Sequence, residues 1–326
     1  MNPSDSIDPA APGSLLDRRA IPAEAVESFW HAADGHAIRR IDWPGSPATS
    51  RGALLFLPGR GDCYEKYLET LDHWHRQGWR VTSIDLRGQA LSGRLGADAT
   101  TGHVEDFGRW IEDLAHFWKL WREDTPAPHV LVAHSMGGHI ALRAVTERKI
   151  DPAALVLTAP MLGMLPQWAP TALLAPLSRL IVRLGDPRRP AWKSSEKPGA
   201  LPKERDELLT HDAERYADEG FWRKTRPELA MGPASWGWIA AAISSIRVLE
   251  RRGVLEAIAT PVLILATRAD RLVSYRAARH AAQRLARGEL VSFGEEARHE
   301  LLREEDSVRD RVIAAIDGFL ARVAPA

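Results

Sequence analysis

The segment from residue 129 to residue 145, HVLVAHSMGGHIALRAV, constrains the fold of this chain more than any other. Its apolar, β-branched start predicts a strand, and a helical pattern follows at once, with Ser135 at the junction. A strand that turns directly into a helix brings two backbones close together, so the residues two before and two after the serine must be small. They are Ala133 and Gly137. The pattern therefore predicts a serine exposed on a strained turn at the end of a strand.

Strands and helices alternate along most of the chain. The predicted strands cover residues 36–43, 53–57, 80–85, 129–134, 154–159, 261–266 and 289–293. The predicted helices cover residues 64–76, 104–121, 138–148 and 308–323. Such alternation is typical of an α/β fold with a mostly parallel central sheet and helices on both faces. In such folds the ligand site lies beyond the carboxyl ends of the strands, which is where Ser135 is expected.

Two more polar residues follow predicted strands at this edge. Asp270 comes shortly after the strand at 261–266, and His299 comes after the strand at 289–293. A serine hydroxyl becomes a good nucleophile when an imidazole accepts its proton and a carboxylate orients that imidazole. Taken singly, Asp270 could cap the helix that begins near Ser274, and His299 could be a surface histidine. Three such residues at neighbouring strand ends make a catalytic triad the better interpretation.

Several stretches of the chain resemble one group of enzymes. They are LPGRGDCYEKY (57–67), IDLRGQALSGR (84–94), TGHVEDF (101–107), LVAHSMGGHIAL (131–142), LTAPMLG (157–163), LLTHDAERYADE (208–219), MGPASWGWI (231–239) and ARHELLREED (297–306). Over roughly residues 30 to 320, the chain resembles the serine hydrolases of the α/β-hydrolase superfamily, in particular bacterial lysophospholipases and monoacylglycerol lipases. The lysophospholipase branch is the closer match. The resemblance implies the α/β-hydrolase fold, with Ser135 as nucleophile, Asp270 as acid and His299 as base.

The same resemblance implies an oxyanion hole formed by two backbone N–H groups, those of Met136 and Arg60. Arg60 lies between two glycines in the loop that follows the strand at 53–57, although an ordinary glycine-rich turn is the alternative. Ala90 stands where this family usually has a glycine in the turn after the fourth strand. That substitution leaves the shape of this turn open.

The stretch from residue 161 to residue 250 interrupts the alternation and is predicted to be a cap inserted over the site. Residues 29–160 and 251–326 then form the hydrolase core, and residues 1–28 a loose tail. A run of leucine and isoleucine at helical spacing within the cap either packs on the core or meets a membrane or lipid aggregate. It comprises Leu173, Leu174, Leu177, Leu180, Ile181 and Leu184. Trp236 and Trp238 are candidates for lining the acyl pocket, with plain packing as the alternative.

Composition excludes several other classes of protein. The 43 basic and 43 acidic residues balance, so we expect no nucleic-acid partner. The single cysteine, Cys63, fits a reducing compartment and, without a recognisable secretory signal, we expect a cytoplasmic protein, with a peripheral position at the inner face of the membrane as a variant. The twelve histidines show no H-E-x-x-H spacing, and the loop at 58–63 lacks the third glycine of a dinucleotide-binding motif. We therefore expect no metal and no cofactor.

The predicted function is hydrolysis of a lipid carboxylic ester through a Ser-His-Asp triad and an acyl-enzyme intermediate. Lysophospholipids and monoacylglycerols both carry a suitable ester, and the sequence does not decide between them. An acyltransferase that uses the same triad is one alternative. A non-catalytic ligand-binding protein on a hydrolase scaffold is another. The oligomeric state is left open.

Overall fold

The computed structural model describes residues 16–45, 50–164, 171–192 and 206–325, without the side chains of residues 171–174, 206 and 207. Eight strands form one sheet in the order β1-β2-β4-β3-β5-β6-β7-β8. They are β1 Val26–His31, β2 Ala37–Trp43, β3 Gly52–Leu57, β4 Trp79–Ile84, β5 His129–His134, β6 Ala154–Thr158, β7 Val262–Thr267 and β8 Gly288–Phe293. Strand β2 pairs antiparallel with both β1 and β4, and all other neighbours are parallel. The predicted mostly parallel sheet is confirmed.

Nine α-helices lie in the described part of the chain. They are α1 Leu68–Arg76, α2 Gly108–Glu123, α3 Ser135–Thr146, α4 Thr171–Arg183, α5 Asp206–Leu209, α6 Ala213–Thr225, α7 Trp236–Glu250, α8 Tyr275–Arg284 and α9 Asp306–Val323. Helices α4 to α7 all fall between β6 and β7, within the predicted cap. Short 3₁₀ turns cover Tyr64–Tyr67, Pro227–Leu229 and Leu301–Arg303. None of the described helices is long and apolar enough to span a bilayer.

The central strands are buried on both faces, so their side chains alternate between two cores. Leu55 and Leu131 point into one core together with apolar side chains of α2, α3, α7 and α8. Leu54 and Val130 point into the other, with side chains of α1 and α9. Because β3 and β5 to β8 are parallel, the loops after them emerge at one edge of the sheet. Ser135, Asp270 and His299 all lie on such loops or turns.

The N-terminal part of the chain corrects one prediction. The first fifteen residues of the expected loose tail lie outside the described residues, but residues 16–28 are fastened to the rest of the protein. Arg18 Nε and Arg19 Nε donate to the two carboxylate oxygens of Asp218 at 2.6 and 2.7 Å. Trp222 Nε1 donates to the backbone oxygen of Arg18 at 3.0 Å. The tail prediction is therefore wrong for residues 16–28, which also begin strand β1.

Candidate active site

Ser135 occupies the turn between β5 and α3 with φ of 49°, in the left-handed region that side chains with a Cβ rarely adopt. The strain accompanies a close approach of the helix to strand β3. A Cβ on Gly137 would lie 2.4 Å from the backbone oxygen of Pro58 and 2.7 Å from that of Leu57. A glycine at residue 137 is therefore required by contact with backbone atoms, and the turn has the geometry that residues 129–145 predict.

The three predicted triad side chains are joined by hydrogen bonds. His299 Nε2 lies 3.0 Å from Ser135 Oγ, and His299 Nδ1 lies 2.7 Å from Asp270 Oδ2. Ser135 and His299 are 164 positions apart in the chain, and they meet because the segments after β5 and β8 emerge at the same edge of the sheet. With the proton on Nδ1, the imidazole donates to Asp270 and presents a lone pair at Nε2 to the serine hydroxyl.

The carboxylate of Asp270 is held on both of its oxygens. Oδ1 accepts hydrogen bonds from the backbone N–H groups of Leu272 at 2.8 Å and Val273 at 2.9 Å, which leaves Oδ2 for the histidine. Burial by itself disfavours the charged carboxylate, but His299 and these two N–H groups lower the pKa of Asp270 below its usual value. Asp270 therefore stays ionised beside the imidazole.

The electrostatics of His299 favour proton uptake. Burial opposes a charged imidazole, yet the charge and hydrogen bond of Asp270, aided by Glu300 and Asp62, raise the pKa of His299 above its usual value. The neighbouring His134 behaves oppositely: burial, followed by repulsion from His299, lowers the pKa of His134 to about 4. The two rings lie 4.9 Å apart, and His134 Nδ1 contacts the backbone oxygen of Thr158 at 3.1 Å. His134 is thus a neutral packing partner of His299.

The two predicted oxyanion donors belong to segments that meet at Ser135. The N–H of Met136 is in the first turn of α3, where backbone donors have no acceptor within the helix. Arg60 lies in the loop after β3, and this loop touches the serine: a Cβ on Gly59 would be 3.1 Å from Ser135 Cβ. The structure thus brings the loop of Arg60 against Ser135.

A cluster of buried charges behind this loop is not anticipated by the sequence patterns. Lys66 Nζ contacts carboxylate oxygens of Asp62 at 2.9 Å, Glu300 at 2.5 Å and Glu219 at 3.3 Å. Arg303 pairs with Glu300, the residue next to His299. Burial disfavours an ionised Asp62, but the charge of Lys66 and hydrogen bonds from Tyr67 and Lys66 help to outweigh it, and the pKa of Asp62 falls to about 2. The cluster joins the loop of Arg60, the loop of His299 and helix α6.

The tryptophans predicted to line the pocket differ in position. Trp238 is buried, its ring lies 5.3 Å from the guanidinium of Arg60, and it packs near Phe107. Trp236 is half-buried at the start of α7, and its backbone N–H donates to the oxygen of Arg189 at 3.1 Å. Trp238 therefore neighbours the loop that touches Ser135. Contact of either tryptophan with substrate stays a prediction.

Two other kinds of chemistry find no support in the described residues. Cys63 is buried, and desolvation raises the pKa of its thiol well above the usual value, so a thiolate is disfavoured there. Within the described ranges, no three His, Cys, Asp or Glu side chains are grouped so that they could hold a metal ion.

Known proteins match this fold and this sequence. A family model described as Serine aminopeptidase, S33 (Hydrolase_4) matches residues 48–306. Lysophospholipase L2 of Escherichia coli K12 is 32% identical over 287 residues, which cover 82% of this chain and 80% of the relative. Monoglyceride lipase of Rattus norvegicus is 28% identical over 141 residues, covering 43% and 44% of the two chains. The predicted resemblance to lysophospholipases and monoacylglycerol lipases is confirmed.

Solved structures support the fold. A soluble variant of monoglyceride lipase from Saccharomyces cerevisiae, in complex with a substrate analog, superimposes with a TM-score of 0.73 at 18% identity, covering 96% of this chain and 100% of that one. A thermostable carboxyl esterase from Bacillus coagulans gives a TM-score of 0.70 at 17% identity, with coverage of 93% and 99%. At such low identity the likeness concerns the fold alone.

Proposed function

We propose that this chain, which belongs to the hydrolase family described as Serine aminopeptidase, S33, hydrolyses carboxylic esters of lipids through Ser135, His299 and Asp270. The observation that carries the proposal is the continuous series of hydrogen bonds from Ser135 through His299 to Asp270. A serine hydroxyl needs this arrangement to act as a nucleophile at neutral pH.

The first half of the reaction transfers the acyl group to the enzyme. Ser135 Oγ forms a bond to the ester carbonyl carbon while its proton moves to His299 Nε2. The carbonyl electron pair moves to oxygen, and the N–H groups of Met136 and Arg60 bind the resulting oxyanion. The ester C–O bond then breaks, and the leaving alcohol oxygen takes the proton from His299. Asp270 remains ionised and stabilises the imidazolium meanwhile.

The second half releases the fatty acid. A water molecule gives its proton to His299 Nε2 as its oxygen attacks the acyl carbon, and the same two N–H groups hold the second oxyanion. The bond to Ser135 breaks, and the serine oxygen recovers the proton from His299. The enzyme returns to its starting state, with one ester bond replaced by one acid and one alcohol.

The proposed substrate is a lipid with one acyl ester on a glycerol backbone. The names of the relatives support this choice, since one is Lysophospholipase L2 and another is Monoglyceride lipase. A lysophospholipid is favoured, because the lysophospholipase match extends over twice as many residues as the monoglyceride lipase match.

A hydrolysis panel tests the function. We expect the wild type to release fatty acid from lysophosphatidylcholine, lysophosphatidylethanolamine and monoacylglycerols, and Ser135→Ala to lose roughly 10⁴-fold or more in kcat while it still folds. Ser28→Ala, at an exposed position of β1, is the matched control and should behave as wild type. Fatty-acid release by Ser135→Ala at the wild-type rate would contradict the proposal.

We further propose that residues 161–250 form a cap over the site, and that α4 contacts a lipid surface. Leu177 and Leu180 are each 53% exposed on the face of α4 opposite its buried Ala175. Leu184, the residue after α4, extends this apolar stripe and is 76% exposed. Arg179 is exposed at the flank of this apolar stripe. An apolar stripe beside an exposed cationic side chain suits the surface of an anionic phospholipid membrane. Such contact would hold the enzyme at the cytoplasmic face of a membrane, where its substrates lie.

A further inference from the structure

We propose that the side chain of Gln89 aims the backbone N–H of Arg60 at the oxyanion, which makes Gln89 a positioning residue of the ester hydrolysis. The inference rests on the proposed function. Gln89 lies in the loop after β4 and is only 2% exposed. Neither the sequence patterns nor the triad calls for a glutamine at this position.

The carboxamide of Gln89 binds both neighbours of Arg60. Gln89 Oε1 accepts a hydrogen bond from the N–H of Gly61 at 2.7 Å, and Gln89 Nε2 donates to the backbone oxygen of Gly59 at 3.3 Å. A third bond fixes the start of the loop, since the N–H of Gly59 donates to Asp62 Oδ2 at 3.1 Å. The main chain on both sides of Arg60 is thus held by side chains.

Peptide geometry turns these contacts into a direction for the Arg60 N–H. The carbonyl of Gly59 and the N–H of Arg60 belong to one planar trans peptide unit, so they point in opposite directions. A hydrogen bond that holds the carbonyl toward Gln89 therefore points the N–H away from Gln89. If this peptide unit rotated by half a turn, a carbonyl oxygen would replace the oxyanion donor. Such a rotation would first have to break the bond between Gln89 and Gly59.

Glutamine has the right chemistry for this task and is itself held in place. A neutral carboxamide offers a donor and an acceptor on one planar group, as the two flanking backbone groups require. The N–H of Gln89 donates to the oxygen of Leu86 at 3.0 Å, and its own backbone oxygen accepts from the N–H of Ser92 at 2.8 Å. The next residue, Ala90, has φ of 45°, so the chain accepts a strained turn here.

Two variants test the inference. Gln89→Met keeps the side-chain length and removes both hydrogen bonds, whereas Gln89→Glu keeps the acceptor for Gly61 and sets a carboxylate oxygen against the carbonyl of Gly59. We expect each to lower kcat on a soluble acyl ester by roughly 10- to 100-fold, because the loss of one oxyanion donor costs about 10²- to 10³-fold. KM should change little. Gln283→Met, at an exposed position of α8, is the matched control and should retain wild-type kcat.

Inhibitor affinities separate positioning from a general loss of structure. A trifluoromethyl ketone forms a charged tetrahedral adduct with the serine, so its affinity should fall by the same factor as kcat/KM. A non-hydrolysable ether analogue of the substrate forms no oxyanion, so its affinity should stay at the wild-type value. An equal loss of affinity for both ligands would overturn the inference, and so would wild-type kcat in both variants. If Gln89→Met does not fold, the affinities of the nearly isosteric Gln89→Glu for the trifluoromethyl ketone and the ether analogue provide the same test.

The outcome for Ser135→Ala separates this inference from the proposed function. Full activity of Ser135→Ala would contradict the proposed function, and the positioning role of Gln89 would be contradicted with it. An inactive Ser135→Ala together with fully active Gln89 variants would overturn the positioning role alone.

Discussion

Two parts of the segment between β6 and β7 are built differently. Helices α6 and α7 each begin with a side-chain cap, in which Asp212 accepts from the N–H of Arg215 and Ser235 from that of Trp238. From α6, the buried Glu219 reaches Lys66 in the cluster behind the site. Helix α4 instead contains a proline, Pro176, and leaves its leucine stripe exposed.

The difference shows which part of the segment is tied to the sheet edge that carries Ser135, Asp270 and His299, the proposed catalytic edge. A buried charge is stable only when it is paired, so Glu219 and Lys66 hold α6 to the loops of Arg60 and His299. The leucine stripe of α4 is more than half exposed, and large exposed apolar patches are typical of surfaces that meet a partner or a membrane. We therefore expect substitutions at the catalytic edge to change chemistry or stability, and substitutions on the outer face of α4 to change only contact with lipid.

The largest effect short of removing the nucleophile is expected at the catalytic edge, from Asp270→Asn. It should lower kcat by about 10⁴-fold, because the amide no longer stabilises the imidazolium or selects the productive tautomer. His299 must be neutral to accept a proton, so activity falls as the pH drops through its pKa. Asp270 raises that pKa, and the acid limb of kcat/KM should therefore move to lower pH in Asp270→Asn.

A pH series of kcat/KM on a soluble ester measures this shift. Asp310→Asn, whose side chain is 74% exposed on α9, is the matched control and should leave both rate and pH profile as in the wild type. An acid limb that stays in place in Asp270→Asn would mean that Asp270 does not set the pKa of His299.

A stability effect is expected from Lys66→Met, which tests whether the buried cluster fastens the site. Loss of the cation leaves Asp62, Glu219 and Glu300 buried with one positive partner fewer, and breaking a buried pair costs about 3–5 kcal/mol. Urea unfolding should show this as a large fall in the midpoint. Lys149→Met removes an exposed partner of Glu112 and should leave the midpoint unchanged. Similar urea midpoints for Lys66→Met and Lys149→Met would contradict the conclusion that the buried cluster around Lys66 stabilises the protein.

The smallest effect on the folded protein is expected on the outer face of α4. The triple change Leu177→Ser, Leu180→Ser and Leu184→Ser should leave stability within about 0.5 kcal/mol per site, because these side chains are exposed. Binding to phosphatidylglycerol vesicles in co-sedimentation should fall by roughly tenfold or more, with unchanged kcat on a soluble ester.

Strand β1 supplies the control for α4. Val26 and Phe29 are 56% and 54% exposed, so Val26→Ser with Phe29→Ser removes similarly exposed apolar side chains elsewhere on the molecule. This double variant should bind vesicles as the wild type does. Equal losses of vesicle binding in the leucine triple variant and the β1 double variant would contradict the proposed lipid contact. Unchanged vesicle binding of the leucine triple variant would contradict it as well.

The sequence predicts local features of this protein well and long-range pairing of charges poorly. All seven predicted strands are present within one residue at each end, because buried apolar runs mark them clearly. The sequence patterns do not predict strand β1, since most of its residues are exposed and it lacks a buried apolar face. Helix α3 begins at Ser135 itself, three residues before the predicted start, because the strained turn takes up a single residue.

The charge cluster shows why the rest could not be predicted. Lys66 and its partners Glu219 and Glu300 are far apart in the chain, and each alone looks like a solvated surface charge. Only the packing of α6 and the loop of His299 against the loop of Arg60 makes them neighbours. The proposed role of Gln89 could not be predicted for the same reason, since it depends on contacts with the backbone groups of another loop.

The central claim is that His299 and Asp270 activate one serine, and labelling with a fluorophosphonate tests it most directly. Such a reagent phosphonylates an activated serine, so we expect a single adduct on the peptide that contains Ser135. In His299→Ala the labelling rate should fall by about 10³-fold or more. An adduct on another residue, or an unlabelled protein that still hydrolyses lipid esters, would contradict the account.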